Sequence, residues 1–225
     1  MAPLRVLCVH GYRQNGSSFR EKTGALRKLL KKQVELAFMN APLTVQRSSS
    51  EEGDVPNKEN NSGPGGDEDP RGWWFSDIQA KSFSAQQQCE KSLGLEESVA
   101  AVREAVTAQG PFDGILGFSQ GAAFVAMLCS LQEQKLEPHF NFRFVILVAG
   151  FRSACKEHEK FYTAPLQVPS LHVFGLEDRV IPDSMSRELL PSFHDPQVLV
   201  HPGGHFVPAA SAHRQTYQDF LKRFQ

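Results

Sequence analysis

Cysteine is scarce: four residues in 225, Cys8, Cys89, Cys129 and Cys155, with no CxxC pair and no Cys/His spacing suited to a metal. That argues against a disulfide-stapled secreted scaffold and against a zinc module. Cys8 and Cys129 sit inside apolar segments and read as small buried thiols, so a reducing, cytoplasmic setting is expected. An excess of one charge is also missing. The 24 Lys and Arg residues offset 25 Asp and Glu for a formal net charge of −1, and the basic residues are scattered. Nothing in that distribution calls for nucleic acid or another polyanion as partner. The N-terminus, MAPLRVLCVHG, has too short an apolar run for a signal peptide. The longest uncharged stretch covers residues 114–132, close to membrane-spanning length. It includes Gly114, Gly117, Ser119, Gln120, Gly121 and Ser130, and reads as a buried strand, turn and helix instead.

Two textures alternate along the chain. Apolar, β-branched runs lie at Leu4–Val9, Val34–Met39, Phe112–Gly117, Phe142–Ala149, Ser170–Phe174 and Gln197–Val200. Helical spacing occupies Ser17–Gln33, Leu95–Gln109, Gln120–Gln132, Ser184–Leu190 and Ala209–Phe224. In the second of these, Leu95, Val99, Val102 and Val106 fall on one face. Strands this apolar, alternating with helices, predict an α/β fold: a mostly parallel sheet of about six strands covered by helices on both faces. Residues 1–225 are expected to form a single domain, which is long enough for a full core.

Residues 46–70 differ from their surroundings. They hold seven acidic and two basic residues, many Ser, Gly and Pro, and one large apolar residue, Val55. Such a segment buries too little surface to offset its ordering entropy, and a disordered acidic surface loop within the domain is expected. Directly after it come Trp73, Trp74 and Phe75, which read either as a hydrophobic anchor or as the lining of an acyl pocket.

Gly117-Phe118-Ser119-Gln120-Gly121 has the form GxSxG. The pattern alone is weak, but here the strand-like FDGILGF runs in and the helical QGAAFVAMLCSL runs out. A nucleophile elbow needs that strand-turn-helix setting, with glycines where a Cβ would collide. A serine hydroxyl needs a base, and histidine titrates in the right range. Of eight histidines, His205 lies in the Pro202-Gly203-Gly204-His205 loop after the last strand, where the order Ser, Asp/Glu, His requires it. His172 and His201 belong to strands and read as packed; His139, His158, His194 and His213 read as surface residues. Asp178, in Gly175-Leu176-Glu177-Asp178, is the leading partner for the imidazole, with adjacent Glu177 as runner-up. The backbone N–H of Gln120 is one expected oxyanion donor. The second is the N–H of Tyr12, in the loop Val9-His10-Gly11-Tyr12-Arg13-Gln14-Asn15-Gly16, where His10 serves as a brace. That loop lacks GxGxxG and a P-loop lysine, so phosphate binding is disfavoured.

Taken together, Val9–Gly16, Gly117–Gly121, Gly175–Asp178 and Gly203-Gly204-His205 resemble the FSH-type family of serine hydrolases over essentially the whole chain. The resemblance implies a compact α/β-hydrolase fold with Ser119, Asp178 and His205 as catalytic triad. It also implies carboxylesterase activity on hydrophobic alkyl or fatty acyl esters, with no cofactor and no metal. An acyl-thioesterase is the alternative within the same mechanism, because GFSQG also occurs in acyl-protein thioesterases. A non-catalytic hydrolase-fold binding protein is a third reading, although all three triad positions are filled. The stretch between Ala149 and Ser170 is too short for a separate lid domain. An open site is therefore expected, bordered by loops carrying Trp73, Trp74, Phe151 and Phe206, taking a small-molecule ester without membrane insertion.

Overall fold

The computed structural model describes residues 2–46 and 68–225. The six apolar runs form strands β1 (Leu4–Val9), β2 (Val34–Phe38), β5 (Gly114–Phe118), β6 (Phe144–Val148), β7 (Ser170–Gly175) and β8 (Gln197–His201). All pair in parallel, in the order β2-β1-β5-β6-β7-β8. Every residue of β5, β6 and β7 is buried, which is why these runs are continuously apolar rather than alternating. Two shorter strands, β3 (Leu43–Thr44) and β4 (Arg71–Gly72), pair antiparallel on their own. The acidic segment expected at 46–70 falls almost entirely outside the described residues.

Six α-helices accompany the sheet among the described residues: α1 (Gly16–Lys22), α2 (Gly24–Leu30), α3 (Leu95–Gln109), α4 (Gln120–Glu133), α5 (Asp183–Leu189) and α6 (Arg214–Lys222). Right-handed crossovers distribute them. The step from β1 to β2 puts α1 and α2 on one face, joined by α6, whose Gln218 carbonyl accepts from Gln33 Nε2. The steps that run the opposite way across the sheet put α3, α4 and α5 on the other face. The single helix expected over 17–33 is two helices. Thr23 leaves helical geometry (φ −101°, ψ 15°) and its hydroxyl donates to the Phe19 carbonyl, closing α1 before Gly24 opens α2. Between β6 and β7 there is only a short 3₁₀ stretch, Lys156–Tyr162, and no lid domain. No helix among the described residues is long and apolar enough to cross a membrane.

The chain reverses its direction across the sheet between β1 and β5. In open parallel sheets, ligands bind beyond the carboxyl ends of the strands at such a reversal. The loop after β1 and the turn after β5 meet there.

Candidate active site

Ser119 occupies the turn from β5 into α4 with φ 57° and ψ −119°, a conformation rarely adopted by a residue with a side chain. Its surroundings hold it there. The Ser119 N–H donates to the Val148 carbonyl (2.9 Å), and its own carbonyl accepts from Ala122 and Ala123. A Cβ on Gly117 would lie 2.5 Å from the Gly121 carbonyl oxygen and 2.7 Å from Ala122 Cα. A Cβ on Gly121 would strike the carbonyls of Val9 and His10. Both glycines of the motif are thus required by close approach of α4 to β5 and β1. Gln120 opens α4, where a backbone N–H has no acceptor within the helix and points out of its positive end.

The β1 loop that faces this helix end is held from several sides. The Gly11 N–H donates to Gln14 Oε1 (2.7 Å), and the Gln14 N–H returns to the Gly11 carbonyl. Arg13 and Gln14 exchange backbone hydrogen bonds with Arg71 of β4. His10 is fully buried, its Nδ1 2.8 Å from the Gly11 carbonyl and its Nε2 accepting from the Ala41 N–H. Those partners assign the proton to Nδ1, and burial lowers the imidazole pKa to about 4, so His10 is a neutral brace. Trp73 Nε1 donates to the His10 carbonyl (2.7 Å). The Gln120 side chain then ties both halves together: its Oε1 accepts from Trp73 N–H and its Nε2 donates to the Trp74 carbonyl. This second use of Gln120, by its side chain, has no signature in a single sequence.

Asp178 follows β7 and His205 follows β8. Asp178 is buried, and its Oδ1 accepts from the N–H groups of Val180 and Ile181 (2.9 and 2.8 Å). That leaves Oδ2, which lies 2.8 Å from His205 Nδ1. Glu177 is exposed; its backbone N–H donates to the Gly203 carbonyl, and no such anchoring orients its side chain. The geometry therefore favours Asp178 over its neighbour. The two loops pack so closely that a Cβ on Gly175 would strike the Gly203 carbonyl. The Phe118 ring lies 4.7 Å from the His205 ring.

Ser119 and His205 line one cavity of about 610 Å³, together with Tyr12, Phe118, Phe206 and Val207, and with Arg13 and Lys22 at its border. That volume suits a small organic ligand. Phe206 is half exposed and belongs to this wall. Trp73, Trp74 and Phe151, expected around the site, do not line it. They are fully buried behind it: Trp73 stacks on Phe124 of α4 at 4.9 Å, while Trp74 and Phe151 pack against Phe83. Their apolar area is spent inside the protein, as the anchor alternative for Trp73 and Trp74 requires. Phe19 and Phe118, stacked at 5.9 Å, supply the aromatic wall instead. His158, expected at the surface, is buried between the hydroxyls of Ser92 (2.8 Å) and Ser153 (2.6 Å). Among the described residues no group of three or more His, Cys, Asp or Glu side chains is placed to hold a metal ion.

The family model described as "Serine hydrolase (FSH1)" matches residues 1–217. The chain belongs to this family. A zebrafish (Danio rerio) protein named "Esterase OVCA2" is 71% identical over 224 residues, covering 99% of this chain and 98% of that protein. The human (Homo sapiens) "Esterase OVCA2" is 46% identical over 227 residues, covering 99% and 97%. Among solved structures, esterase PE8 aligns with a TM-score of 0.64 at 18% identity, over 100% of this chain and 94% of that one. Acyl-protein thioesterase 2 of Zea mays aligns at 0.62 with 15% identity, over 98% and 95%. These two likenesses establish the α/β-hydrolase fold of this FSH1-family member. Its family and its esterase-named relatives make it a serine hydrolase with esterase activity.

Proposed function

We propose that this hydrolase is a carboxylesterase that cleaves hydrophobic alkyl or fatty acyl esters through an acyl-Ser119 intermediate. One observation carries the reading. The Oδ2 of buried Asp178 meets His205 Nδ1 at 2.8 Å, and His205 shares a cavity with Ser119. With Nδ1 engaged, Nε2 is the nitrogen left to take a proton from Ser119 Oγ as that oxygen attacks the ester carbonyl. Asp178 stabilises the imidazolium that forms. The backbone N–H groups of Tyr12 and Gln120 receive the oxyanion, and the positive end of α4 favours the same charge. The imidazolium then protonates the departing alkoxide. Water, activated by the same nitrogen, releases the carboxylic acid and restores Ser119.

The walls support an apolar acyl group, since Phe19, Phe118, Phe206 and Val207 border the cavity. We read residues 1–225 as one hydrolase domain working in the cytoplasm, a setting consistent with four free thiols. A fluorophosphonate probe is the direct test: it should label the folded protein once, and Ser119→Ala should abolish labelling. Equal labelling of Ser119→Ala would sink the proposal. Ester substrates of graded acyl length should show rising kcat/KM as the chain fills the aromatic wall. Matched oxygen esters and thioesters of one acyl chain separate a carboxylesterase from a thioesterase, and a strong thioester preference would overturn the ester assignment.

A further inference from the structure

Two of the four cysteines, 66 positions apart in sequence, are neighbours in space. Cys89 and Cys155 are register partners in a short parallel pairing outside the main sheet. The Lys156 N–H donates to the Cys89 carbonyl (2.8 Å) and the Glu157 N–H to the Glu90 carbonyl (3.1 Å), which fixes that register. Cys155 Sγ donates to the carbonyl of Glu90, the residue next to Cys89, at 3.5 Å. Adjacent strands run about 4.8 Å apart and paired side chains leave them on the same side. Disulfides span Cα separations of about 4.4–6.8 Å, a range that includes the ordinary spacing of such a pairing. Cys8 and Cys129, by contrast, are buried core residues. Cys155 is buried and Cys89 is partly accessible, so an oxidant reaches the pair from the Cys89 side.

We propose that Cys89 and Cys155 form a reversible thiol–disulfide site, oxidised by a small-molecule disulfide. Cys89 Sγ, as thiolate, attacks one sulfur of the oxidant to form a mixed disulfide, and the oxidant's other sulfur leaves as a thiol after taking up a proton. Cys155 Sγ then attacks Cys89 Sγ and expels the second thiol. In balance, two protein thiols and one disulfide give one protein disulfide and two small thiols. Burial and the nearby carboxylates of Glu90 and Glu157 hold the Cys89 thiol protonated, so the first step accelerates as pH rises.

The bridge would tie the segment before α3 to the segment after β6. The first of these is already closed by reciprocal bonds between Phe75 and Leu93 (2.8 and 3.0 Å). Its Trp74 carbonyl is held by Gln120, so the staple braces the backbone on which the elbow leans.

The test treats the folded full chain with oxidised glutathione at mildly alkaline pH, blocks remaining thiols, and maps peptides without reduction. The expected product is one cross-link between the peptides holding Cys89 and Cys155, with a mass loss of two hydrogen atoms. Dithiothreitol should reverse it. Closing so long a loop should raise Tm by about 5–10 °C. Cys155→Ser should instead trap a stable glutathione adduct on Cys89. Should that buried substitution prevent folding, Cys89→Ser, at the accessible end, must abolish the cross-link and the Tm gain in a folded protein. A persistent glutathione adduct on wild-type Cys89, a cross-link involving Cys8 or Cys129, or no bridge at all would overturn the proposal. None of these readouts depends on ester hydrolysis.

Discussion

Ser119 sits at φ 57°, and a strained backbone of this kind persists only where its surroundings over-determine it. Substitution at the serine and substitution around it should therefore behave differently. Ser119→Ala removes one oxygen and leaves the hydrogen bonds of the Ser119 backbone to Val148, Ala122 and Ala123 in place. It should fold with an unchanged Tm while kcat falls by about four orders of magnitude or more, measured on a chromogenic ester. Gly121→Val should damage both, because its Cβ meets the Val9 and His10 carbonyls, which belong to rigid backbone. Asp178→Asn is subtler. The Asn oxygen can still accept from Val180 and Ile181, but its amide nitrogen then faces His205 Nδ1 and selects the wrong tautomer. Here kcat should drop by about 10⁴ with the fold intact, as circular dichroism would report. At this scale the close packing of the motif glycines, the place of Ser119 on the turn into α4 and the pairing of Asp178 with His205 were readable in sequence, because each has a fixed positional requirement. His158 was not: its charged neighbours Glu157, Glu159 and Lys160 pointed to the surface, whereas the tertiary pairing with Ser92 buries it. Cys89 and Cys155 escaped for the same reason, since their proximity depends on a loop pairing without hydrophobic periodicity.

At the scale of elements, the central strands β5, β6 and β7 were legible to within a residue or two, because burial on both faces leaves a continuous apolar run, whereas the two-residue strands β3 and β4 left no such signal. Such a run does not say which way an aromatic loop will turn. Trp73 and Trp74 follow a polar segment, and sequence alone allowed either a cavity wall or an anchor. The deciding facts are long-range hydrogen bonds: Trp73 Nε1 to the His10 carbonyl, and the Gln120 amide to the backbone of Trp73 and Trp74. This strut joins the β1 loop to the first residue of α4, the two places from which the proposed oxyanion donors come. Trp73→Phe keeps the stacking on Phe124 but leaves a buried carbonyl without its donor. It should destabilise by about 1–3 kcal/mol, lowering Tm by about 2–4 °C per kcal/mol. It should also lower kcat more than it changes KM, because a shifted β1 loop affects the oxyanion rather than the acyl chain. A variant with full kcat and normal Tm would show that the strut positions nothing.

For the molecule as a whole, acid is the informative stress. Burial lowers the imidazole pKa of His10 and His158 to about 4 and of His172 to about 3. In the unfolded chain each titrates near 6.5. Between those limits the unfolded state holds more protons than the folded one, so stability is fully present above about pH 6.5 and is lost as pH falls toward 4. Each histidine contributes a slope of about 1.4 kcal/mol per pH unit within that window, and the three act together because they sit in separate parts of the core. His10 braces the β1 loop, His172 packs against Phe193 from β7, and His158 bridges Ser92 and Ser153. Urea midpoints measured between pH 7 and 4.5 should therefore fall steeply, with little change from pH 7 to 8. His158→Gln keeps hydrogen-bonding groups for the two serines but has no titrating proton. It should reduce the slope by about a third while costing some stability at pH 7. An unchanged slope in that variant, or a wild-type midpoint that is flat down to pH 4.5, would mean these imidazoles accept protons without unfolding, and that water reaches them inside the native core.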